Sequence, residues 1–278
     1  MQTFRQRFWK NKTAVICGFV LVLICITTVF APFIAPEDPT KMFSERRLEG
    51  SSSEFLMGTD QFGRDLLSRV IHGAQVSLMV GVSSVAISAF FGALFGLLAG
   101  YFGRWIDAII MRIMDIMFAF PEILLALAII AALGPGTYKT IIAIGIVNIP
   151  VFTRTVRGAV LSIKNLEYVE SARAIGARTS RILFREIFPN VNAPLLVQSS
   201  IAISGAILTE SILSFLGLGI QPPDPSWGGM IAESRRYMEL APGMILWPCL
   251  AMTVTILAFN LFGDALRDLL DPQHQSRR

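Results

Sequence analysis

Two glutamates, Glu122 and Glu210, lie within long apolar stretches of the chain and are the residues best placed to do chemistry there. An ionised carboxylate is costly inside a membrane, so such a residue usually faces water or protein rather than lipid. If either glutamate faces an aqueous pathway, it would attract a cationic group of a transported molecule. The alternative is a carboxylate hydrogen-bonded to neighbouring helices, and Thr209, Ser211 and Ser214 lie beside Glu210. The sequence leaves both alternatives open.

Arg112 and Asp115 are a second set of ionisable residues in an apolar stretch. They are three residues apart, so on one helix their side chains can pair. That spacing favours a structural ion pair over a substrate site. Pro121 precedes Glu122 and predicts a kink, because proline lacks the N–H of a regular helix.

Other types of chemistry find little support in the residues. The histidines, His72 and His274, are far apart, and all three cysteines lie in apolar stretches, so we expect no metal site, cofactor or catalytic residue. None of the five lysines follows a glycine, so the chain has no Gly-Lys-Ser/Thr phosphate loop. If ATP drives this protein, another chain binds the ATP.

The composition is that of a membrane protein with several spans. Of 278 residues, 53% are hydrophobic and only 16% are charged, whereas soluble domains carry roughly 25% charged residues. The net charge of +4 is small and scattered, so nucleic acid is not an expected partner. We predict an all-α protein in which six helices contact the lipid bilayer: Ala14–Ile34, Val76–Tyr101, Ile106–Leu133, Thr140–Leu161, Leu195–Leu218 and Ile245–Leu266.

The distribution of basic residues predicts the orientation of these spans. With both termini in the cytoplasm, inner segments hold thirteen Lys and Arg residues and outer segments hold eight. We therefore predict a protein of the cytoplasmic membrane organised as a tail, an uncleaved anchor, an extracytoplasmic loop, a transmembrane core containing a cytoplasmic loop, and a second tail. Their respective bounds are 1–13, 14–34, 35–75, 76–268 (with the loop at 162–194) and 269–278.

The most informative loop is residues 167–190, which is polar and rich in arginine between two apolar spans. Helical spacing places one apolar and one charged set on opposite faces: Val169, Ala172 and Ile175 against Glu167, Glu170 and Arg173. Gly176 is predicted to stop this helix, and a second helical run is predicted from Arg181 to Phe188, ending at Pro189. Such a helix is suited to docking on another protein, with binding to lipid headgroups as the alternative.

Two outer segments are candidates for contact with an external protein. Residues 58–65 have the pattern of a turn that caps a following helix, and residues 221–228 are stiffened by proline. The candidate contact residues are Asp60, Arg64, Asp65 and Trp227, with ordinary loop packing as the alternative. Between these segments, small residues recur every fourth position and favour close packing of helices within the chain over contact with a second subunit: Ser84, Ser88, Gly92, Gly96 and Gly100.

Several motifs resemble those of ABC-importer permeases. The run Glu170-Ser171-Ala172 with Gly176, Ile187 and Pro189 is similar to the EAA loop of that family, except that Ser171 replaces the usual alanine. Residues 57–69, 214–219 with 221–223, and 258–268 resemble the C-type subunit of the dipeptide, oligopeptide and nickel permease subfamily. The resemblance implies a type I ABC-importer permease fold in which the EAA residues form the ATPase-coupling helix.

The resemblance also implies the partners and the function. A related permease, two ATP-binding subunits and an extracytoplasmic substrate-binding protein would complete a bacterial or archaeal importer of small peptides. The chain itself would be a transport subunit and not an enzyme, because its partners would hydrolyse ATP. Glutathione and nickel complexes are alternative substrates. A secondary transporter is the alternative of another class; Pro121 and Pro150 fit its broken helices weakly, and it leaves the 167–190 loop unexplained.

Overall fold

The structure is a computed structural model that describes residues 4–270; His274 and the predicted tail beyond 270 lie outside these residues. Within them the regular structure is helical, which confirms the predicted all-α class. The helices are α1 Phe4–Lys10, α2 Lys12–Val29, α3 Ala31–Ile34, α4 Leu66–Phe102, α5 Arg104–Phe118, α6 Glu122–Leu133, α7 Thr137–Ile163, α8 Glu167–Ala174, α9 Thr179–Arg181, α10 Phe188–Phe215, α11 Trp227–Ser234 and α12 Gly243–Leu270. A π-helical turn, Ile182–Ile187, joins α9 to α10 and a 3₁₀ turn follows α11.

Five continuous helical stretches in the described chain are long and apolar enough to cross a membrane. The third predicted span, Ile106–Leu133, is not continuous, because α5 and α6 meet at an angle of 92°. Helix α5 ends at Phe118, and Pro121 stands immediately before α6. Proline cannot donate the backbone hydrogen bond of a helix interior, so the predicted kink is a break between two helices.

Helix α4 begins ten residues earlier than the predicted span. Asp65 caps it, with its carboxylate accepting a hydrogen bond from the backbone N–H of Ser68 at 2.8 Å. The 35–75 loop of the prediction therefore ends at residue 65, and we call residues 35–65 the first loop. Since α4 has 37 residues, it is roughly 55 Å long and exceeds a hydrocarbon core of about 30 Å.

The stripe of small residues on α4 packs against α7. A Cβ atom at Gly92 would lie 2.3 Å from Cβ of Phe152, and one at Gly96 would lie 2.6 Å from Cβ of Val156. Only glycine permits so close an approach of two helices. The preferred interpretation, packing within the chain, is thus confirmed.

The predicted end of a helix at Pro189 is wrong. Pro189 lies in the first turn of α10, which continues to Phe215 and also contains Pro194. A first-turn proline costs little, because the N–H that it lacks would have no partner within the helix. Consequently the predicted helical run 181–188 and the fifth predicted span form one continuous helical structure.

Candidate functional site

Helix α8 lies in the connecting segment, which we define as residues 164–187 between α7 and α10. Val169 is fully buried and joins an apolar cluster that contains Val156 and Val160 of α7 and Ile187 of the π-helical turn. Ala172 packs at the edge of the same cluster. Burial of one face fixes α8 to the transmembrane body, as the pattern of Val169 and Ala172 predicted.

The end of α8 has the geometry that requires glycine. Gly176 has φ +76°, and its N–H donates to the carbonyl of Arg173 at 3.0 Å. The N–H of Ala177 donates to the carbonyl of Ala172 at 3.1 Å. These two bonds form a Schellman motif, which stops the helix and satisfies its last carbonyls. The predicted stop at Gly176 is confirmed.

Two residues of the 167–190 loop, one of the predicted apolar face and one of the predicted coupling set, have different surroundings from those expected. Ile175 is 78% exposed rather than part of the buried face, because α8 ends at Ala174 and the chain turns at Gly176. Ile187 is fully buried, so it anchors the segment and is not available to a partner. Glu170, Ser171 and Pro189 are exposed, as expected of residues that contact another protein.

Two contacts link the connecting segment to the end of α4. Nζ of Lys164 donates to the carbonyl of Gly100 at 2.9 Å, and the guanidinium of Arg173 lies 5.8 Å from the ring centre of Tyr101. On α8, partial burial and then the nearby Glu186 raise the pKa of Tyr168. Its phenol is neutral at physiological pH and accepts a hydrogen bond from Nδ2 of Asn190 at 3.2 Å.

The first loop holds a network of buried charges. Asp60 pairs with Nε of Arg64 at 2.5 Å and with Nε of Arg69 at 3.5 Å. Glu233 of α11 pairs with Nη2 of Arg64 at 3.0 Å, and Nε2 of Gln61 donates to Glu233 at 3.2 Å. Asp60 and Arg64 are only 2% and 3% exposed. The expectation that they contact an external protein is therefore wrong: each finds its partners within the chain.

Asp65 and Trp227, the other two candidate contact residues, are also buried. Asp65 is occupied as the cap of α4, where Oγ of Ser68 also donates to it at 2.6 Å. The indole Nε1 of Trp227 donates to the carbonyl of Val70 at 3.1 Å. Both residues hold the first loop and α11 against α4, which corresponds to the alternative of ordinary loop packing.

The two glutamates of the apolar stretches occupy different environments. Glu210 is fully buried and accepts hydrogen bonds from Oγ of Ser77 at 3.2 Å and Oγ of Ser214 at 2.7 Å. This placement favours the structural alternative over a pathway role for Glu210. Glu122 is exposed at the start of α6 and accepts a hydrogen bond from Oγ1 of Thr209 at 3.2 Å, so it stays available to a ligand.

Two ion pairs missed in the sequence connect α5 to α7. Asp107 binds Arg157 through two bonds of 2.6 Å, and Asp115 binds Nη2 of Arg154 at 2.7 Å. The predicted pairing of Arg112 with Asp115 is wrong, because Arg154 of α7 reaches that carboxylate instead. Opposite charges in two adjacent spans were a signal that these residues could meet.

No three His, Cys, Asp or Glu side chains between residues 4 and 270 are arranged to hold a metal ion. The connecting segment instead presents a short helix, α8, with one buried face and one exposed face, between two long membrane helices.

Comparison with known proteins then decides the family. Residues 92–275 match the family described as binding-protein-dependent transport system inner membrane component. The chain belongs to this permease family. Residues 1–50 match the N-terminal TM domain of oligopeptide transport permease C, which confirms the resemblance to C-type subunits. The protein is thus a multi-pass membrane permease subunit of an ABC importer.

Relatives cover nearly the whole permease. It is 47% identical to the di/tripeptide transport system permease protein DppC of Pseudomonas aeruginosa, over 98% of this chain and 92% of that protein. It is 44% identical to the dipeptide permease DppC of Alkalihalophilus pseudofirmus, over 99% and 90%. It is also 45% identical to the glutathione transport system permease protein GsiD of Pectobacterium atrosepticum, over 98% and 91%.

Solved structures of more distant proteins share the fold. The permease superimposes on a chain of the MetNI methionine ABC transporter, captured in inward-facing conformations, with a TM-score of 0.58 and 18% identity, covering 74% of this chain and 98% of that one. A chain of an amino acid ABC transporter gives a TM-score of 0.56 with 15% identity, covering 73% and 95%. The likeness confirms the expected type I ABC-importer permease fold.

Proposed function

We propose that this permease forms one half of a heterodimeric pathway that imports small peptides, driven by two ATPase subunits and supplied by an extracytoplasmic binding protein. The observation that carries the proposal is helix α8. One face of it is fixed to α7 and the π-helical turn, while Glu170 and Ser171 are free to meet a partner. The peptide substrate is supported by the relatives named as dipeptide and di/tripeptide permeases.

The proposed mechanism is transmission of movement rather than chemistry. An ATPase subunit that binds the free face of α8 would push or pull the apolar cluster around Val169. Because α9, the π-helical turn and α10 follow without a flexible linker, displacement at α8 would tilt α10. The fixed contacts from Lys164 and Arg173 to the end of α4 would carry the same displacement to the helix pair of α4 and α7.

The proposed orientation places both termini and α8 in the cytoplasm. Gly50 in the first loop and Ser180 in the connecting segment are both exposed, so each can carry a cysteine label in a background without Cys17, Cys25 and Cys249. We expect an impermeant thiol reagent added outside to label position 50 at once and position 180 only after permeabilisation. The reverse pattern would contradict the orientation and the ATPase-binding role of α8.

Within the pathway we propose a role for Glu122 and not for Glu210. The exposed carboxylate of Glu122 at the break between α5 and α6 is suited to a peptide ammonium group. Glu122→Gln should slow uptake while leaving stimulated ATP hydrolysis intact. The matched variant Glu210→Gln should affect stability more than selectivity. Equal uptake by the Glu122 variant and the wild type would contradict this role.

Reconstitution tests the whole proposal. The permease with its partner permease, ATPases and binding protein, placed in proteoliposomes, should take up a labelled dipeptide only when ATP and the loaded binding protein are present. Uptake that continues without ATP under an ion gradient would instead support a secondary transporter.

Glutathione is the second candidate substrate, since relatives named as glutathione permeases are 45% and 46% identical to this chain. Competition decides between the two. Unlabelled dipeptide should suppress labelled dipeptide uptake at lower concentrations than glutathione does, and the opposite order would favour glutathione.

A further inference from the structure

We propose that Arg112, Asp115 and Arg154 form a subsite in the inner half of the pathway that binds the free carboxylate of a peptide in transit. This inference rests on the proposed function and adds the chemistry by which the permease itself distinguishes its cargo. The subsite lies where α5 crosses α7, between the break at Pro121 and the connecting segment.

The first observation is that charged side chains are exposed at a position within the hydrocarbon core of the membrane. Arg154 is nine residues before the end of α7 that leads to α8, which is roughly 14 Å along the helix. Helix α7 has 27 residues, or about 40 Å, so only about 10 Å of it exceeds a hydrocarbon core of roughly 30 Å. Arg154 therefore lies within the core, yet its side chain is 46% exposed and that of Asp115 is 53% exposed. Charged groups at this depth face water or protein and not lipid.

The second observation is that the charges are incompletely matched. Asp115 accepts one bond, from Nη2 of Arg154. Arg112 is exposed one turn earlier on α5, and among residues 4–270 its guanidinium has no ion-pair partner. A dry protein interface would require every buried charge to be satisfied. Two arginines and one aspartate give the proposed subsite a net positive charge, which suits an anionic group arriving through water.

The third observation is an open depression along α5 beside this ion pair. It has a volume of about 630 Å³ and is lined by residues of α5 alone: Ala108, Ile109, Met111, Arg112, Ile113 and Asp115. Its apolar residues suit a small side chain, and its two charged residues suit a peptide terminus. The guanidinium of Arg154 also lies 4.1 Å from the ring centre of Phe118. This contact holds Arg154 in place when Asp115 turns toward a ligand.

The neighbouring pair Asp107 and Arg157 shows what a structural pair looks like on the same two helices. It is bidentate, at 2.6 Å for both bonds, and its side chains are only 20% and 31% exposed. Asp107 and Arg157 satisfy each other, whereas the Asp115 pair retains free oxygen and N–H groups for a ligand.

The test compares a dipeptide with its C-terminal amide in the reconstituted transporter, each at a concentration that saturates the binding protein. The binding protein is identical in every assay, so a change in the ratio of the two uptake rates comes from the permease. Arg112→Gln should lower the preference for the free carboxylate at least fivefold. Asp115→Asn keeps the shape but frees Arg154, and should raise that preference. Arg104→Gln, an exposed arginine two turns earlier on α5, should leave it unchanged.

A second measurement avoids the selectivity of the binding protein. In equilibrium dialysis, the purified complex without binding protein should bind labelled dipeptide more weakly with Arg112→Gln and more tightly with Asp115→Asn. If both variants keep the wild-type ratio of uptake rates and the wild-type affinity for the dipeptide, the proposed subsite is wrong. Equal loss of uptake for both peptides, with loss of the partner permease on purification, would also overturn it and identify a subunit interface. If the wild type imports no peptide at all, the proposed function fails and the subsite fails with it.

Discussion

The first loop buries three of its charged side chains, Asp60, Arg64 and Asp65, whereas the connecting segment buries none of its charged side chains. Asp60 and Arg64 find partners within the chain and hold α11 against α4. Glu170 and its neighbours on α8 have no such partners in the described chain and surround a small apolar anchor at Val169. Both segments are polar in the sequence. Burial separates the charges that maintain the fold from those that are free to bind a second protein.

The largest effect should come from breaking the buried network. Arg64→Gln leaves Asp60 buried beside only the more distant Arg69, and loss of one partner of a buried pair costs about 3–5 kcal/mol. We expect a clear fall in the apparent melting temperature of the detergent-purified complex. Size-exclusion chromatography of heated samples measures this temperature.

Arg46→Gln is the matched control in the same loop. Arg46 pairs with Glu49 and, at 3.0 Å, with Glu54, but the three side chains are 39%, 28% and 61% exposed, so we expect a much smaller fall in melting temperature than for Arg64→Gln. Equal destabilisation by both variants would show that burial does not distinguish the charges of this loop.

An intermediate effect should come from the end of α8. A β-branched side chain is strained at the positive φ of Gly176, and a left-handed residue other than glycine costs roughly 1–2 kcal/mol. No neighbouring atom would obstruct the side chain, so backbone strain is the expected cause. Gly176→Val should reduce co-purification of the ATPase, while Gly176→Asn should retain more of it, because asparagine tolerates this conformation better. Equal retention by both variants would exclude backbone strain.

The smallest effect should come from a single free charge. Glu170→Arg reverses a charge on the proposed ATPase-binding face, where an exposed pair contributes about 0.2–1 kcal/mol. Binding-protein-stimulated ATP hydrolysis should fall at low salt, and the difference from wild type should shrink as salt screens the charge. Glu54→Arg in the first loop should leave stimulated hydrolysis unchanged at all salt concentrations. A salt-independent defect of Glu170→Arg would indicate misfolding rather than docking.

Local patterns in the sequence predicted the elements that depend on local physics. The cap at Asp65, the stop at Gly176 and the packing of Gly92 and Gly96 each follow from side-chain type and spacing, and each is present. The sequence predicts a kink at Pro121. The angle of the break depends on packing against α7 and α10, which no local pattern specifies.

The errors concern partners that are distant in sequence. Asp115 pairs with Arg154, 39 residues away, and Arg64 pairs with Glu233, 169 residues away. The sequence alone indicates only near neighbours, so it predicts a pair of Arg112 with Asp115 and places the buried Asp60, Arg64 and Trp227 on an external surface. The predicted helix end at Pro189 is wrong because Pro189 falls in the first turn of α10, a position that depends on the π-helical turn before it.

Site-specific photo-crosslinking tests the contrast between the two segments most directly. A photoreactive amino acid replaces Ile175 of the connecting segment in one complex and Phe62 of the first loop in another; both side chains are exposed, by 78% and 42%. In the complete transporter, position 175 should crosslink to the ATPase subunit and position 62 should not. Crosslinking of the ATPase from position 62, or none from position 175 in an active complex, would contradict the assignment of α8 as the ATPase-binding helix.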